Sequence, residues 1–390
     1  MWYPPFALAF GLIVYTRGTD DYKFSSMLKV IFGEKDRKVY WIVDLAALIA
    51  IVGGVAAAIG FTGQVYASLM SNVFGLESSV YTYGLFVVVG LIFLGDVWLG
   101  LRKGIRNASR ITIVLMILSF GLVLVVGPTL FILEIGLDAA GIWLSNMLRL
   151  SLYTAPTAAA ANWPQGWTSF WWAWWAAWGL FVGSFVARVS KGRTIRETFV
   201  FLVVIPGFLL WVLHSIIGGW VLAPGYIGPV TEALSNGIPA AVAQAVAITP
   251  FGWLLGIMLV LVIAGFVLTS LDSAVYILSA ITLGNDTPNA RNRAWWGALL
   301  SFLGIMTLEL PVFDAMQAFP TVLALPFTAF ILLIAYASYI TAREYYAENF
   351  GPMDGDPYVG LSDDEPSPSR EDTTGEVDRP VAEEGTGGDD

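Results

Sequence analysis

The sequence predicts an all-α polytopic membrane protein. Three observations carry that expectation. The hydrophobic fraction is 57% and the charged fraction 13%, against about 45–50% and about 25% in soluble globular domains. Apolar runs of membrane-crossing length recur along the chain. The basic residues cluster in alternate loops between those runs, as the positive-inside rule requires of a chain threaded back and forth. The same composition excludes an ordinary soluble domain, a disordered chain and a nucleic-acid binder. With no cysteine and one histidine in 390 residues, disulfides, thiolate chemistry and histidine-rich metal sites are also excluded.

The apolar runs lie at 6–15, 42–70, 81–100, 111–133, 167–188, 198–221, 251–281, 295–313 and 318–340. The run Phe6–Tyr15 has about ten residues, half of the roughly 20 that cross a bilayer as a helix. It also lacks the basic n-region and cleavage site of a signal peptide. The chain is therefore expected to begin inside a transmembrane helix, through truncation, a misplaced start or a separate upstream polypeptide that supplies missing helices. The runs 42–70 and 251–281 exceed the crossing length and must tilt, bend or project. Pro206, Pro320 and Pro326 are expected to kink or cap their spans.

Arg17, Lys23, Lys29, Lys35, Arg37 and Lys38 fill the first loop. Arg102, Lys103, Arg106 and Arg110 fill the third, Arg188, Lys191, Arg193 and Arg196 the fifth, and Arg291 and Arg293 the seventh; Arg343 follows the last run. Only Arg149 falls on the other side. These loops and the C-terminus are expected to be cytoplasmic in a multi-pass plasma-membrane protein. Glu77, Glu134, Asp138, Glu232 and Glu309 fall outside. The external stretch 134–166 carries Leu137, Trp143, Leu144, Met147 and Leu148 at helical spacings. It reads as an interfacial amphipathic helix, either a packing element or an oligomer contact.

The net charge of −10 belongs to the C-terminus. Residues 354–390 hold 13 acids and 2 arginines, or −11, while residues 1–353 hold 17 acids and 18 bases, or +1. The expected division is a membrane body over 1–345 and an acidic, disordered cytoplasmic tail over 346–390.

The strongest local signal is WTSFWWAWWAAWGLFVGSFVARVSKGRTIRE, from Trp167 to Glu197. Trp171, Trp174, Trp175 and Trp178 stand at i, i+3, i+4 and i+7 and share one helix face, which Phe181 continues. An interfacial aromatic belt accounts for one or two such residues, not for four running toward mid-span. Such a face suits cation–π binding of a quaternary ammonium group, which offers no hydrogen bond. Composition alone leaves a cation site and plain aromatic packing both open. No nucleotide loop, metal motif or nucleophile–base pair points to an enzyme, and no cofactor is expected.

The stretch resembles the signature of the betaine/choline/carnitine transporter family, in which a Trp–Trp–x–x–Trp box precedes an Ala–Arg–x–Ser–x–Gly–Arg–Thr–Ile–Arg loop. TSLDSAVYILSAIT from Thr269 and GLRKGIRNASR from Gly100 resemble two further family stretches, and the likeness runs in order from residue 1 to about 345. The resemblance implies an inverted-repeat (LeuT-like) core that is N-terminally incomplete here, beginning part-way through the family's fourth helix. It implies secondary transport of a quaternary ammonium osmolyte such as glycine betaine by alternating access, in a homotrimer within the lipid bilayer. Another transporter of the same class, or a non-transporting fragment or subunit, is the alternative. Trp174, Trp175 and Trp178, with Phe181, would hold the trimethylammonium head. Trp2 would join them from the preceding helix, or else serve as an interfacial anchor, and Pro5 stands where the family usually has tyrosine. Phe266, Thr269 and Ser270 would form one half of a Na⁺ site, Na⁺ being the coupling ion. Asp272 is expected to be a structural charge partner, Asp44 to match a family aspartate, and His214 to be packed and bonded across helices rather than to relay protons.

Overall fold

A computed structural model describes residues 3–351 apart from 17, 19–22, 34–36, 77–83, 85, 86, 89, 92–94, 96–101, 158–161, 286 and 309–312. Most of the expected run 81–100, with Trp2, Arg17, Lys35 and the acidic tail beyond Gly351, therefore lies outside the described residues. Twelve labelled helices follow in order: α1 (Tyr3–Thr16), α2 (Phe24–Phe32), α3 (Arg37–Phe74), α4 (Arg102–Val126), α5 (Thr129–Leu152), α6 (Asn162–Val189), α7 (Ile195–Leu222), α8 (Ile227–Leu234), α9 (Ile238–Ile248), α10 (Gly252–Leu283), α11 (Ala290–Leu308) and α12 (Phe313–Phe350). Among the described residues all regular structure is helical. Six helices, α3, α4, α5, α6, α7 and α10, are long and apolar enough to cross a membrane. The all-helical, polytopic expectation holds.

The 38 residues of α3 would reach about 57 Å at about 1.5 Å per residue, well beyond a hydrocarbon core of about 30 Å. Its first turns form a projecting foot for α2. There Asp44 accepts hydrogen bonds from the Ser25 amide (2.7 Å) and the Ser25 hydroxyl (2.8 Å). Asp44 thereby satisfies donors in the first turn of α2 that no intrahelical carbonyl can reach. Phe24, Met27 and Leu28 of α2 are buried, and Phe24 lies against Phe6 of α1 and Phe330 of α12.

One expectation about the helices needs correction. The run 111–133 is two elements, because α4 ends at Val126 and α5 begins at Thr129. Pro128 cannot continue a helix and Gly127 approaches the Val123 carbonyl too closely for a Cβ. Between the runs 198–221 and 251–281, α8 and α9 fold, and α9 packs along α3. The external stretch read as a packing element or an oligomer contact falls largely in α5, which packs along α7. Ile132 meets Gly219 and Gly136 meets Ser215, where a Cβ on Gly136 would come within 2.8 Å of the Ser215 Cβ. The Trp211 indole donates to the Gly136 carbonyl at 3.1 Å. The two helices run antiparallel, and glycine lets their backbones approach closely.

In α7 a wide π-turn at Val200–Val204 precedes Pro206. It accommodates a residue that cannot donate to the helix ladder. The connections sort the helix ends into two sets. Tyr15, Arg188, Lys191, Tyr276, Arg293 and Lys23 meet at one end. Val73, Gly256, Trp220, Thr249, Trp172 and Ser151 belong to the other. Lys23, Arg188, Lys191 and Arg293, from three of the basic loops, thus gather at one end.

Candidate functional site: an aromatic face on α6

α6 lies against α1, α3 and α10. Its inner stripe of Ala173, Ala176, Ala177 and Leu180 is buried and lets those neighbours approach. α1 runs parallel to α6. Tyr3 meets Trp175 edge-on at 5.6 Å, Gly11 sits beside Ala187, and the Tyr15 hydroxyl donates to the Ala187 carbonyl at 3.1 Å.

The tryptophans share one broad face, as their spacing predicts, but the face divides into two columns. Trp167, Trp171 and Trp175 stack in one, with successive centroids 6.1 and 5.8 Å apart. Phe170, Trp174, Trp178 and Phe181 form the other, at 4.9, 6.3 and 5.3 Å. Trp174, Trp175 and Trp178 are half-buried, Phe181 is buried and Trp171 is exposed. The midpoint between Trp174 and Trp178 would lie about 3 Å from each ring centre, inside the 3.5–4.0 Å of ordinary carbon contacts. The space between these two rings is thus closed to a group as large as trimethylammonium, which could reach them only on their outer faces or edges.

Trp178 carries the most informative atom. Its indole Nε1 is buried and has no hydrogen-bond partner. Opposite it, Gly54 of α3 presents bare backbone: a Cβ there would lie 3.0 Å from the Ala177 Cβ and 3.7 Å from Trp178 Nε1. An unpaired buried donor is costly, so this one is poised for an acceptor. Sequence reasoning named Trp178 for its ring and not for its N–H. It also missed Tyr3, the aromatic neighbour of Trp175, whose signal was its place beside Trp2.

The second set lies on α10. The Thr269 hydroxyl donates to the Gly265 and Phe266 carbonyls at 3.0 and 3.2 Å. That orientation leaves its lone pairs and the Phe266 carbonyl as adjacent hard oxygens. Thr269 and Ser270 are half-buried, and Phe266 is 55% exposed. Oxygen donors of this kind fit Na⁺, and α6 and α10 are in contact. Asp272, one turn on, is held by Arg293 at 2.9 Å. His214 lies on an exposed face of α7 with Nδ1 2.7 Å from the Leu210 carbonyl of its own helix, so it is not bonded across helices. It borders a cavity of about 920 Å³ between α5 and α7, lined by Trp143, Phe208 and Trp211 among others. This apolar cavity is remote from the tryptophan columns.

Residues 1–347 match the family described as BCCT, betaine/carnitine/choline family transporter. Glycine betaine transporter 2 of Vibrio parahaemolyticus is 29% identical over 79% of this chain and 58% of its own length. Glycine betaine transporter OpuD of Bacillus subtilis is 30% identical over 81% and 62%. The ectoine/hydroxyectoine transporter of Virgibacillus pantothenticus is 31% identical over 80% and 62%. The chain spans about three-fifths of the length of these relatives. With matching helices, matching signatures and a family match over most of its length, the chain belongs to the betaine/carnitine/choline transporter family.

Proposed function

We propose that this chain forms the substrate-binding part of a Na⁺-coupled secondary transporter for a quaternary ammonium osmolyte such as glycine betaine. The observation that carries the reading is the pairing of tryptophan faces with one buried, unpartnered indole N–H at Trp178. The outer faces of Trp174, Trp175 and Trp178 attract the methylated cation. The Trp178 N–H offers a carboxylate the hydrogen bond that the cation does not need. A zwitterion with both groups fits this pair better than choline, which has no carboxylate. Thr269 Oγ1, Ser270 Oγ and the Phe266 carbonyl would supply half of the Na⁺ site. Ectoine is the second substrate to consider, because one relative is named as its transporter.

Tryptophan-fluorescence titration of the protein in lipid nanodiscs, in Na⁺ and in K⁺, tests the reading. Glycine betaine should bind more tightly than dimethylglycine and glycine, and more tightly in Na⁺. Trp175→Ala and Trp178→Ala should each weaken binding about tenfold or more, since a desolvated cation–π contact contributes about 2 kcal/mol. Phenylalanine at either position should weaken it less. Unchanged binding in both alanine variants would reduce the columns to packing, and tighter binding of ectoine would move the substrate class.

The outward apolar face of α5, with Leu130, Leu137, Leu144 and Leu148 exposed, supports a trimer contact. The gathering of basic residues at one end supports a cytoplasmic orientation for that end. Cross-linking in native membranes should give trimers, and monomers alone would remove the assembly.

A further inference from the structure

Between the tryptophan columns and the basic end, α6 is sealed. Leu180, Phe181, Ser184 and Ala187 are all buried, Ser184 completely. Arg188 follows, about 15 Å beyond Trp178 at the helical rise of about 1.5 Å per residue. Its guanidinium lies over the Tyr276 ring of α10, 4.5 Å from the centroid. A second guanidinium, that of Arg293 on α11, lies 5.6 Å from the same ring. Arg293 is in turn tied to Asp272, one helical turn before Tyr276 on α10.

We propose that Tyr276 is the shared plate of a clasp that closes the path from the tryptophan columns to the basic end. One aromatic ring holds cations from two different helices, so α6 and α11 are both drawn onto α10. The two guanidinium charges repel each other, and the ring and the Asp272 carboxylate offset part of that repulsion. The clasp is built to release as well as to hold. Arg293 Nε and Asn292 Oδ1 are buried without hydrogen-bond partners, so hydration on opening would satisfy groups that closure leaves unmet. A fully apolar seam would carry no such counterweight. The inference does not depend on which substrate the site takes, since the closing contacts are all within the protein.

The protein has no cysteine, so single reporter thiols can be placed without background. Ser184→Cys puts one behind the clasp, and Ser119→Cys puts one at a buried site on α4 away from it. Labelling by a quaternary ammonium methanethiosulfonate is followed in inverted and in right-side-out vesicles. Tyr276→Leu should speed Ser184→Cys labelling about tenfold, in inverted vesicles only, as expected for the loss of a desolvated cation–π contact. Tyr276→Phe should leave the rate within about twofold of the parent, because the plate needs the ring and not the hydroxyl. Arg188→Gln should act in the direction of Tyr276→Leu, and it serves if the leucine variant does not fold. The clasp is overturned if neither Tyr276→Leu nor Arg188→Gln changes the rate. It is also overturned if Tyr276→Phe opens the site as much as Tyr276→Leu, if acceleration occurs only in right-side-out vesicles, or if Ser119→Cys accelerates equally.

Discussion

α3 and α7 have the same mean hydropathy over their most apolar windows, 2.5, yet 56% of that window is buried in α3 and 6% in α7. α6 has the lower value of 1.2 and is also 56% buried. Hydropathy therefore reports that a helix crosses, not what it touches. In lipid, apolar side chains gain little by leaving the tails for a protein neighbour, so association depends on how closely backbones fit. α3 and α6 fit closely. Gly54 meets Ala177, Gly304 of α11 meets Ile59, and Gly183 meets Phe6. α7 instead turns Phe208, Leu209 and Leu210 outward. The buried half is thus made of small residues and aromatic rings, and the exposed half is made of branched and aromatic bulk.

The sharpest way to break this comparison is at Gly183. A Cβ there would fall 3.0 Å from the Ala7 amide nitrogen and from the Phe6 carbonyl carbon. Both are backbone atoms on α1 and cannot rotate away. Gly183→Leu must push α1 off α6, separating Tyr3 from Trp175. Overpacking of this kind costs about 1–3 kcal/mol and at times more, so we expect the largest loss of thermal stability here, with weakened betaine binding. Folding and binding equal to the parent would mean that α1 is not seated on α6 as described.

The two halves were not equally legible in the sequence. Spans such as 167–188 and 198–221 emerge from local apolar runs, and Trp174 and Trp178 share a column because helical spacing is a local property. The Gly127–Pro128 break had a local signal too, outweighed by the apolar residues on either side. α9 was lost because 11 residues are too few to cross, and its burial depends on α3, nearly two hundred residues away. The union of Asp272 with Arg293, and of both arginines with Tyr276, depends on how α10 and α11 pack, and spacing does not encode that. The orphaned N–H of Trp178 is a property of its surroundings. Indoles at 174 and 178 look alike in sequence, and only the approach of Gly54 distinguishes them.

The smallest expected effect lies on the exposed side, at Gly121 in the C-terminal part of α4. A Cβ there would meet nothing within 4 Å, whereas one at Gly183 meets the backbone of α1. Glycine in a helix interior is less favourable than alanine by about 1 kcal/mol in water. The gain from replacing it should be smaller in a bilayer, where the backbone must satisfy its hydrogen bonds internally in any case. Gly121→Ala should therefore be neutral or stabilising by under about 1 kcal/mol, and Gly121→Leu should also be tolerated, with betaine binding unchanged in both. The measurement is thermal denaturation in nanodiscs beside Gly183→Leu. If Gly121→Leu lowers stability by as much as Gly183→Leu does, α4 is not exposed to lipid at this level. Its face would then belong to a contact with another chain, and the division of the molecule into a close-fitted binding half and a lipid-facing half would have to be redrawn.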